Sequence, residues 1–419
     1  MMQRSEKKYK NGIKHVHYHV PFLHTLTLSF IVNTGSCKET RSELFGISHF
    51  LEHMLFNGSQ RYPDHKVTEK EVARMGIYQN AWTWNNNTVY YMNSPIPYIE
   101  KAFDILVDRV YRPLLRDEHV EKERGIIQEE RVMGENDPSQ TLLYDLKETM
   151  FKDTVYAHKT IGTKESIANF DKELLQRFHK VHYHPSNTVF VTYGGLAPDE
   201  SEQLFGKYLE KIQVGKDDEF IPEYDSVLGK ISEQGHLEIK KDVPAGFFQE
   251  IRVYDPPSNL KEYVNWMYLM EILSEGRSAI LEKELKIKES LVSNQEIFIY
   301  FDGSYLNIAY EAVTDKTKLG KVIKKYNEVI SMLVESISGQ SITRAQGSLL
   351  GSFLSGLEDP FIISDTDMIN IELYNSNFNT ETSLDEIAEV IKTRKRSDIV
   401  DHINNIYLSP KGMITGTLK

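Results

Sequence analysis

Apolar and polar positions change their spacing several times along the first half of the chain, and each change predicts an element. Thr25 to Asn33 (TLTLSFIVN) partly alternates and is rich in β-formers, and Thr34-Gly35-Ser36 ends it with turn chemistry. From Glu43 to Phe56 the spacing lengthens. Leu44, Ile47, Phe50, Leu51, Met54 and Leu55 recur as on one face of a helix, with Ser42 as an N-cap and Asn57-Gly58 as a stop. Asn87 to Ser94 reads as another strand, closed by Pro95 and Pro97. Tyr98 to Tyr111 and Asp117 to Gly134 read as amphipathic helices, and Thr188 to Tyr193 as a strand ended by Gly194-Gly195.

Periodicity fades between Gln213 and Gly235, where the chain turns polar and acidic, and this predicts a linker. Beyond it the order repeats: strand-like Phe247 to Val253, helix-like Tyr263 to Leu273 and Leu281 to Lys288, strands near Glu296 to Phe301 and Tyr305 to Ala312, then helices from Lys318. The expected fold is therefore α+β in two similar halves, residues 1–215 and 238–419, joined by residues 216–237. Each half should lay helices on a mixed or antiparallel sheet.

Composition narrows the function. The chain has 419 residues, 40% of them hydrophobic, enough for real cores. A formal net charge of -12 gives a surface that repels phosphates, so nucleic acid is excluded as a partner. Cys37 is the single cysteine, which rules out an intrachain disulfide and any cysteine-rich zinc cluster and points to a reducing compartment. The polar start of the chain and the shortness of its early apolar stretch predict no transmembrane segment and a cytoplasmic protein.

Candidate chemistry sits on the first predicted helix. His49-Phe50-Leu51-Glu52-His53 places two imidazoles one turn apart on one face, where both can bind one ion, with Glu52 on a neighbouring face as a candidate base. This is the inverted order of the better-known zinc motif and offers the same parts. An ordinary pair of helix histidines is the bland alternative. A catalytic zinc needs a third protein ligand and an open position. On the helix Asp117 to Gly134, Val120, Ile126, Ile127 and Met133 mark an apolar face, and Glu130 falls near its centre while Glu129 points away. Glu130 is thus the expected third ligand. Glu123, two turns earlier on that face, is expected to orient a ligating histidine. Two acids on a solvated flank are the competing reading.

Other residues invite the blander choice. His15, His17 and His19 are expected to share a solvated strand face, and His179, His182 and His184 to lie on the surface near a helix end. Cys37 has no activating base nearby. Trp82 and Trp84 are expected either to line a pocket or to pack in the core.

Longer motifs surround the histidines: Gly35-Ser36 with Glu39, the run from Gly46 to Ser59, Gly76 with Asn80-Ala81 and Thr83, Thr88 with Tyr90-Tyr91, Glu123-Arg124 to Glu129-Glu130, Gly162 to Ile167, and Tyr183-x-Pro185-x-Asn187. In that order the sequence resembles the pitrilysin-like, or inverzincin, metallopeptidases, and the resemblance covers most of the first half. It implies two α+β halves closing a clam-like chamber, Zn2+ on the first half held by His49, His53 and Glu130, and hydrolysis of peptide bonds by a zinc-activated water with Glu52 as general base. It also implies that Asn80, Ala81 and Thr83 lie on an open sheet edge where a substrate peptide adds as a further strand. Many members carry an arginine and a tyrosine in the second half. The matching stretch here has Lys286 and Ser293, so Lys286 is the expected substrate contact and the phenol is missing. Short members act as dimers, which implies a homo- or heterodimer with a homologous subunit. The alternative function is a non-catalytic, peptide-binding scaffold subunit.

Overall fold

The computed structural model describes residues 3–152, 154–212, 231–302, 305–359 and 384–419. These form two compact units. Among the described residues the first holds 3–132, 158–212 and 357–359, and the second holds 133–152, 154–157, 231–302, 305–356 and 384–419. Of the expected linker, residues 216–230 lie outside the described residues, whereas Gln234–Ile239 is a strand.

The first unit is built on six strands, β1 (Gln3–Lys8), β2 (Lys14–His19), β3 (Thr25–Val32), β4 (Tyr78–Thr83), β5 (Thr88–Pro95) and β6 (Thr188–Gly194). Their order across the sheet is β1-β2-β6-β3-β5-β4, with β2 and β6 parallel and every other pair antiparallel. The helices are α1 (Ile47–Leu55), α2 (His65–Arg74), α3 (Ile99–Tyr111), the N-terminal part of α4 (Asp117–Asn136), α6 (Lys164–Asn169), α7 (Lys172–His182) and α8 (Pro198–Leu209); α5 (Pro138–Met150) belongs to the second unit. Leu26, Leu28, Phe30 and Val32 of β3 join Ile47, Phe50, Leu51, Met54 and Leu55 of α1 in one buried core with Phe103 and Phe190. The helical period read in α1 is therefore the face that docks on the core, and the docking leaves its histidines on the other side.

The second unit repeats this plan. Strands β7 (Gln234–Ile239), β8 (Gly246–Tyr254), β9 (Asn294–Asp302), β10 (Tyr305–Thr314) and β11 (Gly412–Leu418) lie in the order β7-β11-β8-β10-β9. Only β7 and β11 run parallel. Omitting β1, both sheets show one order and one pattern of directions, as expected of two similar halves. The helix following β8, α9 (Leu260–Ser274), stands where α1 follows β3, but it carries no histidine and buries Trp266, Tyr268 and Leu269.

Two surface expectations fail. His15 and His17 are 4% and 2% exposed. Strand β2 is covered from both sides, and Thr192 of β6 bridges the two rings at 2.9 and 2.8 Å. His179 and His182 are buried in α7, where His179 donates through Nε2 to the carbonyl of Val110 at 2.8 Å. Burial disfavours the charged form, and it pulls His179 down to about 4 and His182 to about 3.

Candidate metal centre

Helix α1 starts at Gly46, whose φ of 92° suits glycine alone, and ends after nine residues at Phe56. With its apolar face in the core, His49, Glu52 and His53 border a cleft of about 730 Å³ that is also lined by α4 and by Gln79 to Thr83 of β4. The two imidazole centroids are 4.7 Å apart. On α4, Val120, Glu123 and Ile127 are buried and Glu130 follows on the same face. Ile126 and Met133, expected inward, are 41% and 73% exposed. The inward stripe is therefore narrower than the apolar residues suggested, and Glu130 lies at its edge, half exposed at the mouth of the cleft.

The carboxylate of Glu130 faces both rings, with Oε1 3.7 Å from His49 Nε2 and Oε2 3.6 Å from His53 Nε2. These gaps exceed hydrogen-bond distance. They approach the roughly 3.3 to 3.4 Å edge of a tetrahedron whose corners lie about 2.0 to 2.1 Å from a zinc ion. Among the described residues His49, His53 and Glu130 form the one cluster of three or more such donors, with all ligand atoms within 4.8 Å of one another. Two imidazole nitrogens and a carboxylate fit zinc.

Around these three the structure arranges carboxylates. Glu123, buried, accepts from His53 Nδ1 at 3.3 Å and from Asn57 Nδ2 at 3.1 Å; Asn57 also donates to the backbone carbonyl of His53 at 3.2 Å. A carboxylate on Nδ1 leaves the Nε2 lone pair of His53 aimed at the cleft. Burial alone would pull His53 down, but the bond to Glu123 and the charges of Glu52 and Glu130 carry it above its ordinary value. His49 is pulled down to about 3 by burial and by His53 beside it, which keeps it neutral. Burial pushes Glu52 up, Glu130 adds to this, and the bond from Thr83 and the charge of His53 oppose it.

Thr83, expected to meet substrate, borders the cleft, and its hydroxyl donates to Glu52 Oε2 at 2.8 Å, tying the candidate base to β4. Asn80 and Ala81 lie on that same strand, at the free edge of the sheet, and the Asn80 side chain accepts from the Ala81 amide at 2.9 Å. Neither Trp82 nor Trp84 is in the core: Trp82 borders the cleft and Trp84 is 41% exposed. Lys286 belongs to the second unit, in a short π-helical segment, Glu282–Ile287, with its ammonium 3.5 Å from Glu282. Ser293 spends its hydroxyl on the carbonyl of Val313. Asn57 was not singled out from the sequence, although its place one turn after His53 was a usable signal.

Comparison with known proteins decides the family. The model for insulinase, peptidase family M16, matches residues 14–164, and the model for the M16 inactive domain matches residues 169–349. The chain belongs to the M16 peptidase family. A Rickettsia felis protein described as an uncharacterized zinc protease is 25% identical, the alignment covering 96% of this chain and 94% of that one. The beta subunit of the mitochondrial-processing peptidase of Neurospora crassa is 24% identical over 97% of this chain and 87% of its own length. A Helicobacter pylori protease has the same fold, with a TM-score of 0.87 over the whole of both chains at 19% identity. M16 is a family of zinc metallopeptidases, and the cluster of His49, His53 and Glu130 lies on the half that the first model matches. No described helix is long and apolar enough to cross a membrane.

Proposed function

We propose that this M16 protein is a zinc-dependent endopeptidase acting on peptides or unfolded segments, with His49, His53 and Glu130 as zinc ligands and Glu52 as general base. The convergence of the three donor atoms beside a buried carboxylate carries the reading. Bound zinc would supply a Lewis acid for the scissile carbonyl and lower the pKa of a water toward about 7. Glu52 takes a proton from the water as its oxygen bonds to the carbonyl carbon. It returns that proton to the amide nitrogen as the carbon–nitrogen bond breaks, leaving a carboxylate and an amine. Burial suits Glu52 to this exchange because it raises the carboxyl's pKa. Thr83 occupies Oε2 and leaves Oε1 for the water.

The Asn80 to Thr83 edge supports an extended peptide as substrate, bound through backbone hydrogen bonds. Glu52→Gln is the test. It is expected to bind zinc stoichiometrically and to lose peptide hydrolysis by a factor of about 100 or more; near-normal turnover by the zinc-loaded variant refutes the role of Glu52. Because the Neurospora relative is named as a subunit, and because lysine and serine stand at the arginine and tyrosine positions, we infer a homologous partner that completes substrate binding. A monodisperse single chain with full activity would contradict that inference.

A further inference from the structure

The two histidines of the metal centre are supported differently. His53 lies inside α1, and its Nδ1 is fixed by Glu123. His49 lies in the first turn, and its buried Nδ1 has no hydrogen-bond partner among the described residues. Its orientation therefore depends on the backbone of that turn. A nine-residue helix is short enough to fray at its ends, and α1 lacks the usual protection. Gly46 at the N-cap has no side chain to accept from the first amides, and the first turn holds no acidic residue.

A carboxylate from outside the helix fills this gap. Glu39 accepts from the Gly46 amide through Oε2 at 2.7 Å and from the Ser48 amide through Oε1 at 2.9 Å. It is 1% exposed, a setting in which an unpartnered carboxylate is costly. His158 meets it, with Nε2 3.0 Å from Oε2. The His158 ring lies flat on Phe45, centroids 3.9 Å apart and planes within 3°, so the residue before Gly46 is held as well. Two further contacts close the arrangement. Ser166 donates to the Phe45 carbonyl at 2.6 Å. Gly162 presses on Gly46 so closely that a Cβ on either would sit 2.8 Å from the other's Cα.

From this geometry we infer that Glu39 and His158 are positioning residues for the metal centre: they hold the first turn of α1, and through it they set where His49 Nε2 points. The inference rests on the zinc site proposed above. Neither residue touches the cleft, so both act through the helix backbone. Glu123 and Asn57 then serve His53, and Glu39 and His158 serve His49.

Zinc affinity, read by competition with a chromophoric chelator on the purified full-length protein, separates positioning from general stability. Glu39→Ala is expected to weaken zinc binding about tenfold or more. Glu39→Gln keeps one accepting oxygen and is expected to fall between Glu39→Ala and wild type. His158→Phe preserves the stack on Phe45 but strips Glu39 of its partner, and it is expected to weaken zinc binding less than Glu39→Ala; it also covers the case in which Glu39→Ala fails to fold. Asp171→Ala is the control. It removes the cap of α7, where Asp171 accepts from the Leu174 amide at 2.7 Å, and should lower thermal stability with zinc affinity unchanged. Wild-type zinc affinity in Glu39→Gln and His158→Phe, alongside lost affinity in His53→Ala, overturns the positioning role alone. Wild-type affinity in His53→Ala overturns the metal site itself.

Discussion

Glu123→Gln is nearly isosteric, yet the surrounding donors leave glutamine no good orientation. Glu123 accepts on both oxygens, from His53 Nδ1 on one and from Asn57 Nδ2 on the other. With its carbonyl toward His53, the new amide nitrogen faces the Asn57 amide nitrogen, donor against donor. In the opposite orientation it donates to His53 Nδ1, which moves the imidazole proton to Nε2 and removes the lone pair aimed at the cleft. One charge-assisted bond is lost either way, worth about 1.5 to 3 kcal/mol. Partners of a ligating histidine typically carry about 10- to 100-fold in metal affinity, or about 1.4 to 2.7 kcal/mol. The two estimates overlap. Chelator competition should therefore show zinc affinity down about 10- to 100-fold. The added stability at saturating zinc should shrink by about 1.4 to 2.7 kcal/mol at a fixed zinc concentration. An affinity within twofold of wild type would refute the assignment of Glu123 as the residue that orients His53.

Two predictions concern the histidines that the fold buries. The Leu196 carbonyl accepts from His17 Nε2 at 2.9 Å, so His17 Nδ1 must accept from Thr192 and His15 Nε2 must donate to it. Thr192→Val leaves two buried ring nitrogens unpaired and should cost about 2 to 5 kcal/mol in urea unfolding at neutral pH; a loss under about 1 kcal/mol would show that the chain of bonds is not formed. His179, near 4 when folded and near its ordinary 6.5 when unfolded, binds fewer protons in the native state between those values. Its contribution is complete above pH 6.5 and is lost as pH falls toward 4. Moving from pH 7 to pH 5 should thus cost about 2 kcal/mol through this residue, and His179→Gln should show a shallower pH dependence by that amount in urea midpoints. An unchanged slope would mean that His179 titrates when folded.

How much of this was legible depends on how local each cause is. His49, Glu52 and His53 share one helical turn, so the helical period alone brings them together, and the same reasoning reached Glu130 on α4. It reached Glu130 from an oversized apolar face, because Ile126 and Met133 are apolar but exposed. Hydrophobicity marks what can be buried, and packing decides what is. The β2 histidines show the converse. Their alternation correctly indicated one strand face, but the rings on it bond to Thr192 of the neighbouring β6 and pack against Phe205 of α8, about 175 residues or more away, and no local pattern announces partners that distant. Glu39 was visible only as a matched letter. Its two amide partners lie seven and nine residues on, outside any capping box, and His158 comes from the far side of the excursion through residues 133–157.

The two edges of the first sheet indicate why substrate should meet β4. Bare edges invite pairing with any passing strand, and proteins usually blunt them with charge. On β1 that is done, since Arg4, Glu6, Lys7 and Lys8 occupy four of its six positions. On β4, Tyr-Gln-Asn-Ala-Trp-Thr carries no charge and borders the cleft. An uncharged edge beside the candidate ligand cluster is open to pairing with an extended peptide. Pairing with β5 fixes the register of β4, Thr83 against Thr88, and the Thr83 hydroxyl holds Glu52 at 2.8 Å. On the proposed function, a peptide added to β4 would lie along the strand that holds the base. Backbone hydrogen bonds place its carbonyls at the strand repeat of about 3.3 Å per residue, so alignment with Glu52 requires no particular side chain. Thr83→Val tests this link without touching the metal ligands: it should lower kcat by leaving Glu52 Oε2 unanchored, with zinc affinity unchanged. Unaltered kcat would break the connection between strand and base.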